Sequence, residues 1–494
     1  MVNPQQPIRV RFAPSPTGHM HLGSARTALY DYLAAKRFGG QFILRIEDTD
    51  TKRYVPEAEQ ELIDGLRWLG IQYNEGPDVG GPYGPYRQSE RQHIYREYAE
   101  KLVESGNAFY CFCSQERLAK VREEQMRNKQ SLHYDGTCRH LTPEEARQRI
   151  AQGEKYVIRF KSPLEGETTV TDLLRGDITV NNRQIDDSIL FKSDGWALYH
   201  LAAMVDDFLM KITHVIRGSE WLPSLPLHAL ICRAFGWPEP VWVHLSVFLK
   251  PSGKGKMSKR ETADLTKDGH SFFIKDLKDL GYVPEGVVNW ISLMGWSLDD
   301  KTEFFTMQDL EKSFSLEKLN PSPAAINYTK LDYFNGQHIR NLTDRDLAER
   351  LLPFFVKEGM SATVDKLEKI APVLKERLVT LDDAIPMAAF FFKEELAYPK
   401  EELIQNGLDE QATRLILEKS LALFKAENTL DKETLEPALR AYGEENGYSA
   451  GQVFGTLRVA TTGQKVSPPL FECMEIIGRD VVLERIKKAI TILS

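Results

Sequence analysis

Apolar and polar side chains alternate at the start of the chain and then change to helical spacing. Between residues 8 and 12, apolar side chains alternate with arginines, which predicts a β-strand. Between residues 25 and 38 the apolar side chains recur three and four positions apart, and Gly39-Gly40 ends this predicted helix. The turn between them is rich in proline and glycine. This order predicts the first unit of an α/β sheet.

The same two spacings of apolar side chains predict the strands and helices that follow. Residues 41–50 form a second buried strand ending in acidic side chains, and residues 56–69 form an amphipathic helix. From about residue 107 to 194 the pattern changes to short strands and turns, which indicates an insertion. A helix over 201–210 and a strand over 212–216 then resume the first pattern.

Residues after Phe272 are expected to be wholly helical, beginning with helices over 283–293 and 307–314. Further helices are expected to begin near residues 365, 402, 411, 433, 451 and 480. This helical part is long enough for its own core, in two subdomains, 336–398 and 399–494. The sequence therefore predicts an α/β fold with an insertion, followed by an all-α region.

Bulk composition excludes some classes of protein. The 494 residues are 42% hydrophobic and 27% charged, which is ordinary for a globular protein. A net charge of −8 argues against a uniformly basic nucleic-acid binder, but a tRNA binder needs only one basic face. No stretch approaches the roughly 20 apolar residues of a membrane span, and the start lacks the features of a signal peptide. The chain has 5 cysteines, an odd number, which agrees with a reducing compartment. The protein is therefore expected in the cytoplasm.

The first turn carries candidate chemistry. A helix N-terminus after a sheet strand offers free N–H groups to a phosphate. The turn matches neither common phosphate loop, and it contains His21-Leu-Gly-Ser24, in which Gly23 lets a ligand lie close to the backbone. The alternative is a turn whose prolines and glycine only shape the corner.

Charged side chains also cluster where two later strands end, which is the ligand side of an open sheet. Glu47 follows the second strand and can hold an ammonium group, unless it belongs to a solvated loop. Arg217 stands just before Glu220 and Trp221, and a guanidinium there can bind a carboxylate bidentately. The alternative for Arg217 is a surface ion pair with Asp206 or Asp207.

Three of the cysteines predict a metal site. Cys111 and Cys113 are followed by Cys138 and His140, and three thiolates with one imidazole suit a closed, structural zinc site. The alternative is free cytosolic thiols. Cys232 and Cys473 are expected to be buried small residues.

A basic loop at residues 251–260 ends in Lys-Met-Ser-Lys-Arg and includes Lys256 and Lys259. By itself it indicates only a solvated surface loop. Together with the turn at His21 it resembles the paired signatures of class I aminoacyl-tRNA synthetases, although Ser24 replaces the usual second histidine.

Over nearly its whole length the chain resembles bacterial glutamyl-tRNA synthetases. The segments that carry the resemblance are 11–18, 45–50, 80–90, 205–207, 256–260 and 457–463. The domains that it implies are a class I Rossmann-type catalytic domain in two halves (1–106 and 195–245), an inserted α+β acceptor-end domain with the zinc site (107–194), a stem-contact domain (246–335), and two helical anticodon-binding subdomains (336–398 and 399–494).

The resemblance also implies roles for individual residues. Those implied for glutamate are Arg11, Ala13, Ser15, Glu47, Tyr199 and Arg217, with Arg217 on the side-chain carboxylate and Glu47 on the α-ammonium. Those implied for ATP are Gly18, His21, Gly23, Glu220, Trp221, Lys256 and Lys259, of which His21, Lys256 and Lys259 are catalytic. Ala203 stands where several members have an asparagine near the substrate. Arg377 is a candidate anticodon contact, and a solvated arginine is the alternative.

The implied reaction attaches L-glutamate to the 3′ end of tRNA(Glu) through a glutamyl-adenylate, with ATP, Mg²⁺ and a structural Zn²⁺, in a monomer. Two alternatives remain. A glutamyl transferase that modifies tRNA would lack the helical C-terminal third. A non-catalytic RNA-binding relative is expected to have lost His21, Lys259 or Arg217, and all three are present.

Overall fold

The computed structural model of the chain describes residues 7–50, 53, 55–257 and 269–493. They form two units, of which the first lies within Met1–Leu277 and Val287–Tyr328, and the second within Lys278–Gly286 and Thr329–Ser494. The strands are, in chain order, β1 (Arg9–Phe12), β2 (Gln41–Leu44), β3 (Ala108–Cys111), β4 (Val157–Phe160), β5 (Glu167–Asp172), β6 (Gly176–Asn181), β7 (Ile189–Phe191), β8 (His214–Gly218), β9 (Val241–Leu245), β10 (Phe248–Leu249) and β11 (Ala324–Ala325).

The α-helices of the described residues follow in the same order. They are α1 (Leu22–Arg37), α2 (Pro56–Trp68), α3 (Gln92–Glu104), α4 (Gln115–Arg127), α5 (Pro143–Ala151), α6 (Tyr199–Leu209), α7 (Leu225–Phe235), α8 (Ile274–Asp279), α9 (Pro284–Ser292), α10 (Met307–Ser313), α11 (Tyr328–Asn341), α12 (Asp344–Lys357), α13 (Val364–Leu374), α14 (Ala384–Ala388), α15 (Lys400–Leu403), α16 (Glu410–Ala426), α17 (Lys432–Asn446), α18 (Ala450–Thr462), α19 (Leu470–Ile477) and α20 (Arg479–Ile492).

Parallel strands form the centre of the first unit. β1 pairs with β2, β8 pairs with β9, and the Thr213 N–H donates to the Arg9 carbonyl (2.9 Å), which places β8 beside β1. Helix α1 buries Ala25, Leu29 and Leu33. These strands all end at one edge, and that edge carries the site described below.

The region between residues 107 and 194 contributes strands to two sheets. β3, β4 and β7 form a three-stranded antiparallel sheet. The hairpin of β5 and β6 instead continues the central sheet, because Asp172 at the end of β5 pairs in parallel with Trp242 of β9. The inserted segment thus supplies two strands to the central sheet.

Helices build the second unit around two apolar cores. One core includes Leu347, Leu351 and Phe355 of α12, and Leu367 and Ile370 of α13. The other forms among later helices and includes Ile416, Phe424, Leu457 and Ile486. An all-α C-terminal region was predicted, and the structure confirms it.

The structure corrects two details of the predicted elements. The strand expected over 41–50 ends at Leu44, since the following residues hydrogen-bond to loops, for example from the Ile46 N–H to the Tyr86 carbonyl (2.9 Å). The prediction of a wholly helical chain after Phe272 was wrong at β11, which pairs in parallel with β10. Two-residue strands leave no periodic signal in a sequence.

Candidate active site

A cavity of about 470 Å³ opens where β1, β8 and β9 end. It is lined by twelve of the residues expected to bind glutamate or ATP: Arg11, Ala13, Ser15, Gly18, His21, Gly23, Glu47, Tyr199, Arg217, Glu220, Trp221 and Lys256. Lys259 lies outside the described residues. Residues distant in the sequence therefore meet at the edge where an open sheet binds ligands.

One wall of the cavity is a buried network of charges. Arg11 Nε and Arg45 Nη1 both donate to Asp207 Oδ1, at 3.0 and 2.8 Å, and Arg45 Nη2 donates to Glu47 Oε1 at 3.0 Å. Burial tends to raise the pKa of Asp207, but the two guanidinium groups hold it below its ordinary value. For Glu47, burial prevails over Arg45 and Arg11, and its pKa is raised. An ammonium group beside Glu47 would compensate that burial.

Arg217 is buried without a carboxylate partner among the described residues. Its side chain is 5% exposed, Nε donates to His244 Nε2 (2.9 Å), and Nη1 donates to His228 Nδ1 (2.9 Å) and to the Tyr199 hydroxyl (3.3 Å). Nη2 is buried and has no hydrogen-bond partner among the residues that the structure describes. Burial lowers the pKa of Arg217. A buried cation with a free donor pair at a cavity wall suits an anionic ligand.

The surface ion pair considered for Arg217 is absent from the structure described here, because both aspartates bind other arginines. Asp206 accepts from Arg91 Nε (2.7 Å), and Asp207 accepts from Arg11 and Arg45. All of these side chains are buried.

His21 lies at the beginning of α1 as its N-cap. Its Nδ1 accepts from the Ser24 N–H (3.1 Å), the Ser24 hydroxyl lies 3.1 Å from Nε2, and the ring stacks on Phe272 with 5.4 Å between centroids. A Cβ added at Gly23 would lie 3.0 Å from His21 Cε1. Gly23 therefore leaves room for the ring, and Ser24 contacts it.

Comparison with known proteins identifies the family. The family model for the class I tRNA synthetase (E and Q) catalytic domain matches residues 7–333, and that for the anticodon binding domain matches residues 346–490. A glutamate–tRNA ligase of Borreliella burgdorferi is 45% identical over 97% of this chain and 98% of its own length. One of Dehalococcoides mccartyi is 44% identical over 99% of this chain and 98% of its own length. The chain belongs to the glutamyl-tRNA synthetases.

A solved structure supports the same assignment. The crystal structure of a glutamate tRNA ligase from Elizabethkingia meningosepticum, in complex with its amino acid, has a TM-score of 0.89 and 36% identity. The structural match covers 99% of this chain and 100% of the chain in that crystal structure. The class I catalytic domain followed by a helical anticodon-binding region, which the sequence predicted, is confirmed.

The cysteines of the predicted metal site come together, whereas the histidine does not join them. The ligand atoms of Cys111, Cys113 and Cys138 lie within 4.8 Å of one another, but His140 is exposed and outside this cluster. The Tyr134 hydroxyl lies 3.5 Å from both Cys111 Sγ and Cys113 Sγ. The hydrogen bond between Cys111 and Cys138 lowers the pKa of Cys111, against the effect of burial, and raises the pKa of Cys138, so it favours a thiolate on one thiol of the pair.

The cysteines predicted to be small core residues are buried, as expected: Cys232 in α7 and Cys473 in α19. Arg377 ends a short 3₁₀ helix, Lys375–Arg377, and is exposed. Within the described ranges, no helix combines the length and the apolar character that a membrane crossing requires.

Three buried residues that contact Arg217, directly or through one another, were not predicted from the sequence. They are Asp172 at the end of β5, His228 in α7 and His244 in β9. His228 and His244 contact Arg217, and Asp172 contacts His244. Single buried histidines follow no motif, and the only sequence signal is their position on elements that border the strand end.

Proposed function

We propose that the protein attaches L-glutamate to the 3′ end of tRNA(Glu), using ATP, through a glutamyl-adenylate. The observation that carries this proposal is the buried guanidinium of Arg217, whose Nη2 has no partner in the described part of the chain, in the same cavity as the carboxylate of Glu47. Glutamate has one ammonium and two carboxylate groups, so it complements one acid and two arginines. The family assignment agrees with this substrate.

The side chain of glutamate is assigned to Arg217 and its α-ammonium to Glu47, with Arg11, Ala13, Ser15 and Tyr199 completing the pocket. The side chain of glutamine has no negative charge to offer Arg217, and an unsatisfied buried charge costs about 2–5 kcal/mol. That difference corresponds to a preference for glutamate of roughly 30-fold or more. Selection at this step therefore needs no separate editing site.

ATP is assigned to the turn before α1 and to the loop that carries Lys256. In the first step a carboxylate oxygen of glutamate attacks the α-phosphorus, and pyrophosphate leaves. No general base is required because the carboxylate is already ionised, so the protein contributes position and charge. Phosphate oxygens are assigned to His21 and the N-terminus of α1, and the charge of the leaving pyrophosphate is assigned to Lys256 and Lys259. Mg²⁺ accompanies the nucleotide.

In the second step the terminal ribose hydroxyl of tRNA attacks the activated carbonyl and AMP leaves. The acceptor end is assigned to the inserted segment 107–194 and the anticodon to the helical region, where Arg377 is an exposed candidate contact. A tRNA-modifying transferase is not favoured, since the chain carries a matched anticodon binding domain.

A structural zinc ion is assigned to the cysteine cluster. The donor set fits, because three sulfurs already lie together and Cys113 Sγ and Cys138 Sγ are 3.6 Å apart. The resemblance implies His140 as the fourth ligand, whereas the structure has the Tyr134 hydroxyl 3.5 Å from two of the sulfurs. Bound zinc would crosslink the inserted segment locally. A cytoplasmic, monomeric enzyme completes the proposal.

The test is ATP–pyrophosphate exchange and tRNA charging with glutamate or glutamine, each with and without total tRNA. We expect charging with glutamate and a strong preference over glutamine, and loss of activity in Lys259→Ala. Failure of the unsubstituted protein to charge tRNA with glutamate would overturn the proposal. Equal use of both amino acids would overturn the assignment of Arg217.

A further inference from the structure

The guanidinium of Arg217 is the centre of a buried chain of hydrogen bonds. On one side Arg217 Nε donates to His244 Nε2 (2.9 Å), and His244 Nδ1 lies 2.7 Å from Asp172 Oδ2. On the other side Arg217 Nη1 donates to His228 Nδ1 (2.9 Å), and His228 Nε2 lies 2.9 Å from His200 Nδ1. Asp172, His228 and His244 are each at most 1% exposed.

The hydrogen-bond chemistry fixes where the protons lie. A guanidinium only donates, so His244 Nε2 and His228 Nδ1 must both be unprotonated acceptors. In the neutral rings the proton therefore lies on the opposite nitrogen. His244 Nδ1–H donates to Asp172, and His228 Nε2–H donates to His200. Burial lowers the pKa of both rings, in agreement with neutral imidazoles.

Neutral acceptors orient the guanidinium of Arg217 and leave its positive charge available to a ligand. A carboxylate in direct contact would orient the guanidinium but also neutralise the charge that the ligand needs. The two imidazoles occupy Nε and Nη1, and Nη2 stays unpaired within the described ranges, while the negative charge of Asp172 stands one ring away. The indole ring of Trp242 also lies beneath the guanidinium, with 5.2 Å from its centroid to Arg217 Cζ.

We propose that Asp172, His244 and His228 are positioning residues that hold Arg217 in place and thereby set the affinity and selectivity for glutamate. This inference rests on the proposed function and deepens it. Asp172 acts through His244 by fixing its tautomer. None of the three is assigned contact with the substrate.

The two histidines allow a reciprocal test. Glutamine places its amide near the Nε2 position of a histidine, and asparagine places its amide near Nδ1. His244→Gln therefore keeps an acceptor for Arg217, whereas His244→Asn loses it. At position 228 the ring contacts Arg217 through Nδ1. His228→Asn therefore keeps the acceptor and His228→Gln loses it. Each variant thus has a matched control at its own position.

The measurement is the KM for glutamate in tRNA charging, with the KM for ATP as the internal reference. We expect His244→Asn and His228→Gln to raise the KM for glutamate by about 10- to 100-fold, as loss of a hydrogen bond to a charged group predicts. We expect His244→Gln and His228→Asn to stay within about threefold. The KM for ATP should not change in any of the four.

If the histidines only fill space, the same replacement, asparagine or glutamine, should give the higher KM for glutamate at both positions. That result would overturn the inference. Four equal KM values for glutamate, with the unsubstituted protein active, would overturn it as well. Absence of charging by the unsubstituted protein would overturn the proposed function instead. If one variant does not fold, the pair at the other position carries the test.

Discussion

Methionine substitutions at Arg217 and Arg11 should separate ligand binding from folding stability. Both arginines are buried and line the same cavity, but Arg11 is paired with Asp207 (3.0 Å). Among the described residues, Arg217 donates instead to neutral groups, those of His244, His228 and Tyr199. Arg217→Met removes the partner of the substrate carboxylate, which should cost about 3 kcal/mol, or on the order of 100-fold in kcat/KM for glutamate. Arg11→Met should also impair activity.

Their effects on the free energy of unfolding should differ. Arg217→Met removes an uncompensated buried charge, which is favourable, and leaves two imidazole acceptors without donors, at about 1 kcal/mol each. These effects oppose one another, so the melting temperature should change little. Arg11→Met breaks a buried ion pair and should cost about 3 kcal/mol, with Arg45 still bound to Asp207. That loss corresponds to a fall in melting temperature of about 3 to 5 °C.

Differential scanning calorimetry of the full chain and steady-state charging of tRNA measure the two effects. Glutamine serves as the second substrate, and Arg217→Met should lose most of the preference for glutamate. If Arg217→Met melts as far below the unsubstituted protein as Arg11→Met does, Arg217 is already compensated in the free protein. The argument for a ligand carboxylate at this position would then be refuted.

Three further outcomes are expected. Gly23→Ala should displace the ring of His21 and lower kcat by about 10- to 100-fold at an unchanged melting temperature; unchanged kcat would show that the ring position does not matter. Plasma mass spectrometry should find one zinc ion per chain. The zinc content should fall in either His140→Ala or Tyr134→Phe, and the variant in which it falls identifies the fourth ligand. Burial lowers the pKa of His214 to about 4, so the unfolded chain binds this proton at a higher pH than the folded one. Stability should therefore fall as pH drops from about 6.5 to 4. His214→Gln should make that slope shallower in urea titrations, and other buried histidines, among them His228 and His244, also contribute to it.

The strand ends could be read from the sequence because their signal is local. Arg217 and Glu47 each follow an apolar run, and chain order alone places such residues at the ligand edge of a parallel sheet. The cavity brings them together with Arg11 and His21, as expected. Their individual roles stay predictions until the substitutions are measured.

The partners of those residues could not be read in the same way. His244 and Asp172 are 72 positions apart, and Arg11 and Asp207 are 196 positions apart. No periodicity links such pairs, because register between distant strands is set by the tertiary fold. The position of Tyr134 beside the sulfurs was missed for a related reason. Metal-site motifs in a sequence are recognised by their cysteines and histidines, and a tyrosine is not part of such a motif.

The hairpin of β5 and β6 has a consequence for the evolution of this enzyme. In sequence the inserted segment is an interruption that could be exchanged between relatives, but Asp172 from that segment fixes the proton of His244 in the sheet. An exchange that brings a different side chain to position 172 would alter a pocket that the insertion does not itself line. The two parts of the chain are therefore expected to be inherited together.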